Sequence, residues 1–234
     1  MKLIRFLIYS LLLCFCTVSA QKIDHSKWTE ILQLYVAQNG DVNYKKMQKN
    51  RDTFKVYLNV LASNPPKDSW NNAEIKAYWI NAYNAFTVQL VLDNYPIKSI
   101  KDISEPWGQM FFKIGGKSMS LERIELEILR PMGDPRIHFA IVCASESCPK
   151  LLNCAYESET LNDQLDQAAK EFINDASKNS LTASEITISK IFKWFKSDFP
   201  KGDAFISYLN NYSVVKLFPE TKINYQNYNW SLNE

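Results

Sequence analysis

The sequence predicts an α+β protein, one compact domain in which a small, mostly antiparallel sheet packs against several helices. Long segments carry apolar residues at three- and four-residue steps, the pattern of helices with one buried face. Shorter β-branched or alternating runs fall between them and read as strands. The two kinds follow one another without a regular strand–helix–strand rhythm, which sets aside a doubly wound parallel sheet.

The chain opens on a segment that reads as an export signal rather than as part of this fold. Lys2 and Arg5 precede a nearly all-apolar run from Phe6 to Phe15, and Thr17-Val18-Ser19-Ala20 offers small residues for cleavage before Gln21. The run is too short to span a bilayer, which needs roughly 20 residues. Bulky Leu11, Leu12 and Leu13 ahead of Cys14 argue against a lipoprotein signal. The expected organisation is therefore a signal over 1–20 and a single globular domain over 21–234, periplasmic or secreted, with no membrane span left after cleavage.

Residues 26–38 place Trp28, Ile31, Leu32, Tyr35 and Val36 on one helical face, and Asn39-Gly40 supplies the stop. Phe54, Tyr57, Leu58 and Leu61 define a second helix over 52–63, ended by Pro65-Pro66. Residues 73–93 are apolar nearly all round, so this helix is expected at the centre. Within it Asn81, Asn84 and Thr87 recur every third residue and draw a polar stripe on a buried element. Gly115-Gly116 between Phe111–Ile114 and Lys117–Met119 predicts a tight hairpin. Ser120 caps a helix that runs to about Leu129 and is closed by Pro131. Arg136–Val142 alternates and reads as a strand. Ser158 then caps a helix with Leu161, Leu165, Ala168, Ala169 and Phe172 on one face. Thr182–Ser189 reads as a strand, Ile191–Phe199 as aromatic turns, and 203–211 as a short helix.

Bulk composition excludes several function classes. Lys and Arg number 27 against 25 Asp and Glu, interspersed rather than blocked, so no nucleic-acid surface is expected. Aromatic residues are plentiful and glycines few, which suits a packed core rather than a disordered chain. No Walker loop, dinucleotide-binding glycine motif, G-x-S-x-G or H-E-x-x-H is present. No cofactor is expected.

The chemistry concentrates in Arg136-Ile-His138-Phe-Ala-Ile-Val-Cys143-Ala-Ser-Glu-Ser-Cys148-Pro149. After signal removal three cysteines remain, Cys143, Cys148 and Cys154, an odd number that leaves at least one thiol unpaired within the chain. The readings that stand are a Cys143–Cys148 or Cys148–Cys154 disulfide, a zinc site with His138, buried inert thiols, and a nucleophilic cysteine. The zinc spacing matches no familiar pattern, so no metal is expected. On a regular strand His138 and Cys143 would stand about 16 Å apart on opposite faces, whereas the 144–147 loop could return Cys148 to His138. Cys148 is therefore the expected partner of His138, with Cys143 as a further catalytic candidate that could meet His25. Asn81, Asn84, Ser145 and Ser147 are the candidate substrate-binding residues, although a buried hydrogen-bond network would also explain the asparagines. Asp198 and Glu125 could each orient a histidine, or serve as ordinary salt-bridge or helix-face charges.

Several blocks in order resemble the family called domain of unknown function 547. They are Gly40–Tyr44, Tyr78–Ala85, Ser120–Glu125, the His138–Pro149 segment, Ser189–Phe195 and Tyr228–Leu232. The resemblance implies an α+β domain, often secreted in bacteria, whose H-x-x-x-x-C-x-S-x-S-C-P segment falls on His138, Cys143, Ser145, Ser147, Cys148 and Pro149. One departure is Leu126, where the family pattern has a histidine after Ile-Glu.

Two functional readings follow. One is an extracytoplasmic cysteine-dependent hydrolase or transferase acting on an amide or peptide-like substrate. The alternative is a non-catalytic module that binds a small-molecule or peptide-like ligand or a partner, its cysteines joined in a structural disulfide.

Overall fold

The computed structural model describes residues 22–234, so the expected export signal lies outside the described residues. The fold is α+β. Its first half is built from α1 (Ser26–Tyr35), α2 (Tyr44–Gln48), α3 (Arg51–Ser63) and α4 (Asn72–Asn94), followed by a hairpin of β1 (Phe112–Ile114) and β2 (Lys117–Met119). Next come α5 (Leu121–Arg123), which continues as a wider π-type turn over Ile124–Leu129, and 3-10 turns over Arg130–Met132 and Pro135–Phe139. The second half contains α6 (Leu161–Asn174), β3 (Ser180–Leu181), β4 (Glu185–Ile188), α7 (Ile191–Trp194), α8 (Asp203–Asn210) and β5 (Lys222–Tyr225). Among the described residues no helix is long and apolar enough to cross a membrane.

Helix α4 is the spine. Asn71 accepts hydrogen bonds from the Ala73 and Glu74 amides while the Glu74 carboxylate accepts from the Asn71 amide, a closed capping box that fixes where the helix starts. Every residue from Ala77 to Val88 is buried, as the all-round apolar pattern predicts. Trp28 stacks on Tyr57 and Phe54, which joins α1 to α3. Gly115 and Gly116 both adopt positive φ, as a two-residue turn joining twisted strands requires.

Strand pairing is small and split between two sheets. β1 and β2 pair antiparallel; in the second sheet β3 pairs antiparallel with β4, and β4 runs parallel to β5. β5 has only four residues, two of them half-buried and two exposed, which leaves almost no hydrophobic alternation to read.

Two apolar cores meet in the middle of the molecule. One surrounds α4; the other is an aromatic cluster of Phe139, Phe172, Phe192 and Phe199 with Ile186 and Ile188. The segment 135–144 lies on their seam. Phe139 enters the second core, and Ile137, Ala140, Ile141 and Val142 enter the first.

That seam explains a departure from expectation: Arg136–Val142 is not a strand. Pro135 opens a 3-10 turn, and the Asp134 carboxylate accepts from the Arg136 amide as its cap. The alternating apolar residues answer to two cores rather than to the two faces of a sheet. Among the described residues no strand pairs with it, and the Asn84 side chain takes the place of one. Its amide donates to the Ala140 carbonyl and its oxygen accepts from the Val142 amide, both at 2.9 Å. Ser158 is not the cap of α6 either, since the helix begins at Leu161 after Thr160.

The C-terminal segment closes the structure. Glu146 and Ser147 donate backbone hydrogen bonds to Ser231 and Asn229, while Val42 donates to the Asn233 carbonyl and the Tyr44 hydroxyl to the Asn233 side chain. Gly40 is required at this junction: its φ is +92°, and a Cβ there would stand 2.4 Å from the Lys150 Cβ.

Candidate active site

A cleft of about 340 Å³ opens where the two cores meet. Tyr83 of α4 and Glu122, Glu125 and Leu126 of the α5 region stand on one side; His138, Cys143 and Cys148 belong to the seam segment. Trp194, Phe195, Tyr228 and Trp230 complete the lining together with Trp107, Ile141 and Ile191. Trp194 stacks on Trp230, and Tyr228 packs against both at ring separations of 4.6–4.8 Å. Tyr228 and Trp230, two residues apart, both line the cleft and pack on each other.

Cys143 follows the 3-10 turn and is half-buried. Ala144 then takes a left-handed conformation at φ +53°, unusual for a residue with a Cβ, and the chain turns back so that the Cys148 amide donates to the Ser145 carbonyl. This reversal places the Cys148 sulfur 3.1 Å from the Cys143 sulfur and 2.9 Å from the Cys143 amide, which donates to it. The Ser145 and Tyr228 hydroxyls lie 3.1 and 3.3 Å from the Cys143 sulfur.

These contacts separate the two thiols electrostatically. Hydrogen bonding from Cys148 outweighs burial and, with Ser145 and Tyr228, brings the Cys143 thiol down to about 7. Burial and the neighbouring Cys143 push the Cys148 thiol well above the ordinary range. The more acidic thiol is therefore Cys143, whereas the sequence reading favoured Cys148. Neither sulfur is hydrogen-bonded to an imidazole. That expectation rested on a regular strand, and the 3-10 turn removes its premise.

His138 is held by a different partner. Its Nε2 lies 2.8 Å from Asp198 Oδ2, and a carboxylate can only accept, so Nε2 carries the proton. Arg130 grips the same carboxylate through two nitrogens at 2.6 and 2.8 Å. Phe195 stacks on the imidazole, with ring centroids 4.1 Å apart and planes 17° apart. Burial lowers the His138 pKa despite the Asp198 carboxylate, which keeps the ring neutral, and its Nδ1 is buried without a partner. With Nε2–H fixed on Asp198, the buried Nδ1 is the ring's remaining accepting atom. The Glu125 carboxyl, on the same cleft, is pushed up to about 7 by burial, partly opposed by Arg130, so it holds a proton under mildly acidic conditions.

The remaining sequence candidates divide. Ser145 belongs to the thiol cluster. Ser147 faces the C-terminal segment, its hydroxyl accepting from the Asn229 amide. Asn81 and Asn84 do not line the cleft. Asn81 brackets the Tyr156 backbone as Asn84 brackets Ala140 and Val142, and both are buried, so the polar stripe holds neighbouring chain segments rather than a substrate. His25 is hydrogen-bonded to the Tyr57 hydroxyl beside α3 and does not meet Cys143. Arg130 and the aromatic wall were not foreseen. The alternate spacing of Tyr228 and Trp230 was the available signal for the wall, but it falls outside any predicted element. Among the described residues no group of three or more His, Cys, Asp or Glu side chains is arranged to hold a metal ion.

No curated protein and no solved structure matches the chain. Residues 67–173 match the model of the family described as Protein of unknown function, DUF547. That stretch holds Asn81, Asn84, Glu125, His138, Cys143 and Cys148, and through it the chain carries a domain of the DUF547 family.

Proposed function

We propose that this protein is an extracytoplasmic cysteine-dependent hydrolase or transferase acting on an amide or peptide-like substrate, with Cys143 as nucleophile. The observation that carries the reading is the environment of Cys143: a half-buried thiol lowered to about 7 at the edge of an aromatic cleft that also contains His138. A thiol so placed is substantially ionised near neutral pH. Its thiolate attacks the substrate carbonyl carbon, the carbonyl pair moves to oxygen, and collapse expels the amine, which takes its proton from the Glu125 carboxyl, to leave a thioester on Cys143. His138, positioned by Asp198, serves as the proton acceptor for the water or second nucleophile that cleaves the thioester. Glu125 is the second proton-carrying group in the cleft.

The lining also suggests what is bound. Aromatic and aliphatic side chains dominate it, Glu122 and Glu125 supply the acidic groups, and no Lys or Arg is among the described lining residues. Such a surface suits a neutral apolar group next to the scissile carbonyl and disfavours an anionic one. Extracytoplasmic placement rests on Lys2, Arg5, the apolar run and the Thr17–Ala20 segment.

The contact between the two sulfurs favours a second reading, a binding module with a permanent Cys143–Cys148 disulfide. A panel of activated amides, esters and thioesters separates the two. Turnover that disappears in Cys143→Ala, with an acyl adduct on Cys143 in the wild-type protein, supports the enzyme. Turnover that survives Cys143→Ala, or a native thiol titration that finds Cys143 permanently blocked, refutes it.

A further inference from the structure

We propose that Cys143 and Cys148 form a reversible dithiol–disulfide couple that exchanges with small disulfides, so that the cleft nucleophile is masked on oxidation and released by a small thiol. The proposal rests on Cys143 being the reactive thiol, as above, and assigns a role to Cys148, which acyl transfer does not use as a nucleophile. A thiol hydrolase needs one sulfur, and here a second stands 3.1 Å from the first.

The two sulfurs are held together by the backbone rather than by a chance pair of rotamers. The turn is closed by the Cys148 amide on the Ser145 carbonyl, and its outer residues Glu146 and Ser147 are pinned to Ser231 and Asn229. Access is unequal, as an attacking and resolving pair requires. Cys143 is half-buried on the cleft, while Cys148 is 5% exposed. The third thiol stands apart: the side-chain contact of Cys154 is with Gln164 Nε2 at 4.0 Å, not with a sulfur. The pairing is thus 143 with 148, and Cys154 remains the odd thiol.

The exchange balances without any other reagent. The Cys143 thiolate attacks one sulfur of a disulfide RSSR, forming Cys143–S–SR as the S–S bond breaks and the first RS⁻ leaves to take up a proton. Cys148 gives its proton to solvent and its sulfur attacks the Cys143 sulfur, expelling the second RS⁻, which is protonated in turn. The protein loses two hydrogens and two molecules of RSH are formed. Excess thiol runs the same steps backwards.

The test equilibrates the purified protein with buffers of varied oxidised-to-reduced glutathione ratio, quenches it by acid and alkylation, and maps the peptides. A 143–148 linkage that grows with the ratio, reopens in reduced glutathione without denaturant, and leaves Cys154 alkylated supports the couple. Cys148→Ser should instead stall with glutathione on Cys143. A stable glutathione adduct on Cys143 of the wild-type protein overturns the proposal, as does a 143–148 bond that native reduction cannot open or a 148–154 linkage. These failures are separable from failure of the hydrolase reading: with the couple absent, Cys143-dependent turnover persists at every glutathione ratio that leaves Cys143 unmodified, whereas without a reactive Cys143 the fully reduced protein has no turnover and resists iodoacetamide at that residue.

Discussion

Replacing Asn84 by leucine should loosen the segment that carries both His138 and Cys143. The side chain is buried and has two partners, donating to the Ala140 carbonyl and accepting from the Val142 amide. Both backbone groups belong to buried residues, so leucine leaves a buried donor and a buried acceptor unpaired. Each such group costs about 1–3 kcal/mol, or about 2–6 kcal/mol for the two. Leucine fills similar space, so little cavity energy is added. At about 2–4 °C per kcal/mol for a chain of this size, even the lower bound lowers Tm by about 4–8 °C. The exposed Asn94, whose side chain donates to the Leu90 carbonyl at the end of α4, is the control and should change stability by no more than about 0.5 kcal/mol when replaced. Urea titration of both variants gives the free-energy difference, and the alkylation rate of Cys143 reports whether the site has shifted. An Asn84→Leu protein with wild-type stability and an unchanged Cys143 rate would refute the bracket argument.

Three further outcomes follow from the structure. Burial pushes the Asp198 and Asp134 carboxyls up, but Arg130 and His138 on the first, and Arg136 and Lys76 on the second, outweigh it and hold both at about 2, below the ordinary carboxylate range. Their stabilisation is complete above about pH 4 and is lost as pH falls through about 2, so melting temperature should drop over that interval, and less steeply in Asp134→Asn. His138→Ala should lower turnover by about 10²–10⁴-fold, the range for loss of a general base, while Cys143 still accepts an acyl group in a single-turnover assay; equal loss of both steps would assign His138 to activating the thiol as well. Expression in a secreting host should yield a mature chain beginning at Gln21, and recovery of an intact membrane-extracted form would contradict the export signal.

Long helices were legible because burial imposes periodicity. α3 and α4 begin and end within a residue or two of expectation, and α1 stops a turn early where Val36 leaves the helix to bridge Val42. The failure at Arg136–Val142 has a physical cause. Residues between two cores alternate in apolarity just as strand residues between two faces do, and the partner that replaces a neighbouring strand, the Asn84 amide, lies 56 and 58 positions away along the chain. The identities of Cys143, Cys148, Ser145 and His138 as candidates came from the Arg136–Pro149 segment and from the family resemblance, but their pairing depended on backbone geometry. A strand would have separated His138 from Cys143 by about 16 Å at roughly 3.3 Å per residue, whereas a 3-10 turn advances only about 2 Å per residue. Asp198 was visible as a possible histidine partner, yet nothing local distinguished it from other carboxylates, because Arg130 and His138 reach it from distant positions.

The departure at position 126 bears on which group carries the proton. The resemblance implies a histidine where this chain has Leu126, an exposed side chain on the cleft beside Glu125. If that histidine were the base elsewhere in the family, its role here would have to pass to a group already in the cleft. His25 cannot take it, because its ring is committed to the Tyr57 hydroxyl and burial lowers its pKa to about 4. His138 has what the task requires: a neutral ring, an Nε2 proton fixed by Asp198, an unpartnered Nδ1, and a place on the same segment as Cys143. Arg130 completes the arrangement by holding the Asp198 carboxylate ionised, so the charge that would stabilise an imidazolium is present before the proton arrives. On the proposed reading Leu126 then adds to the apolar lip of the cleft, and His138 is the imidazole that takes the proton.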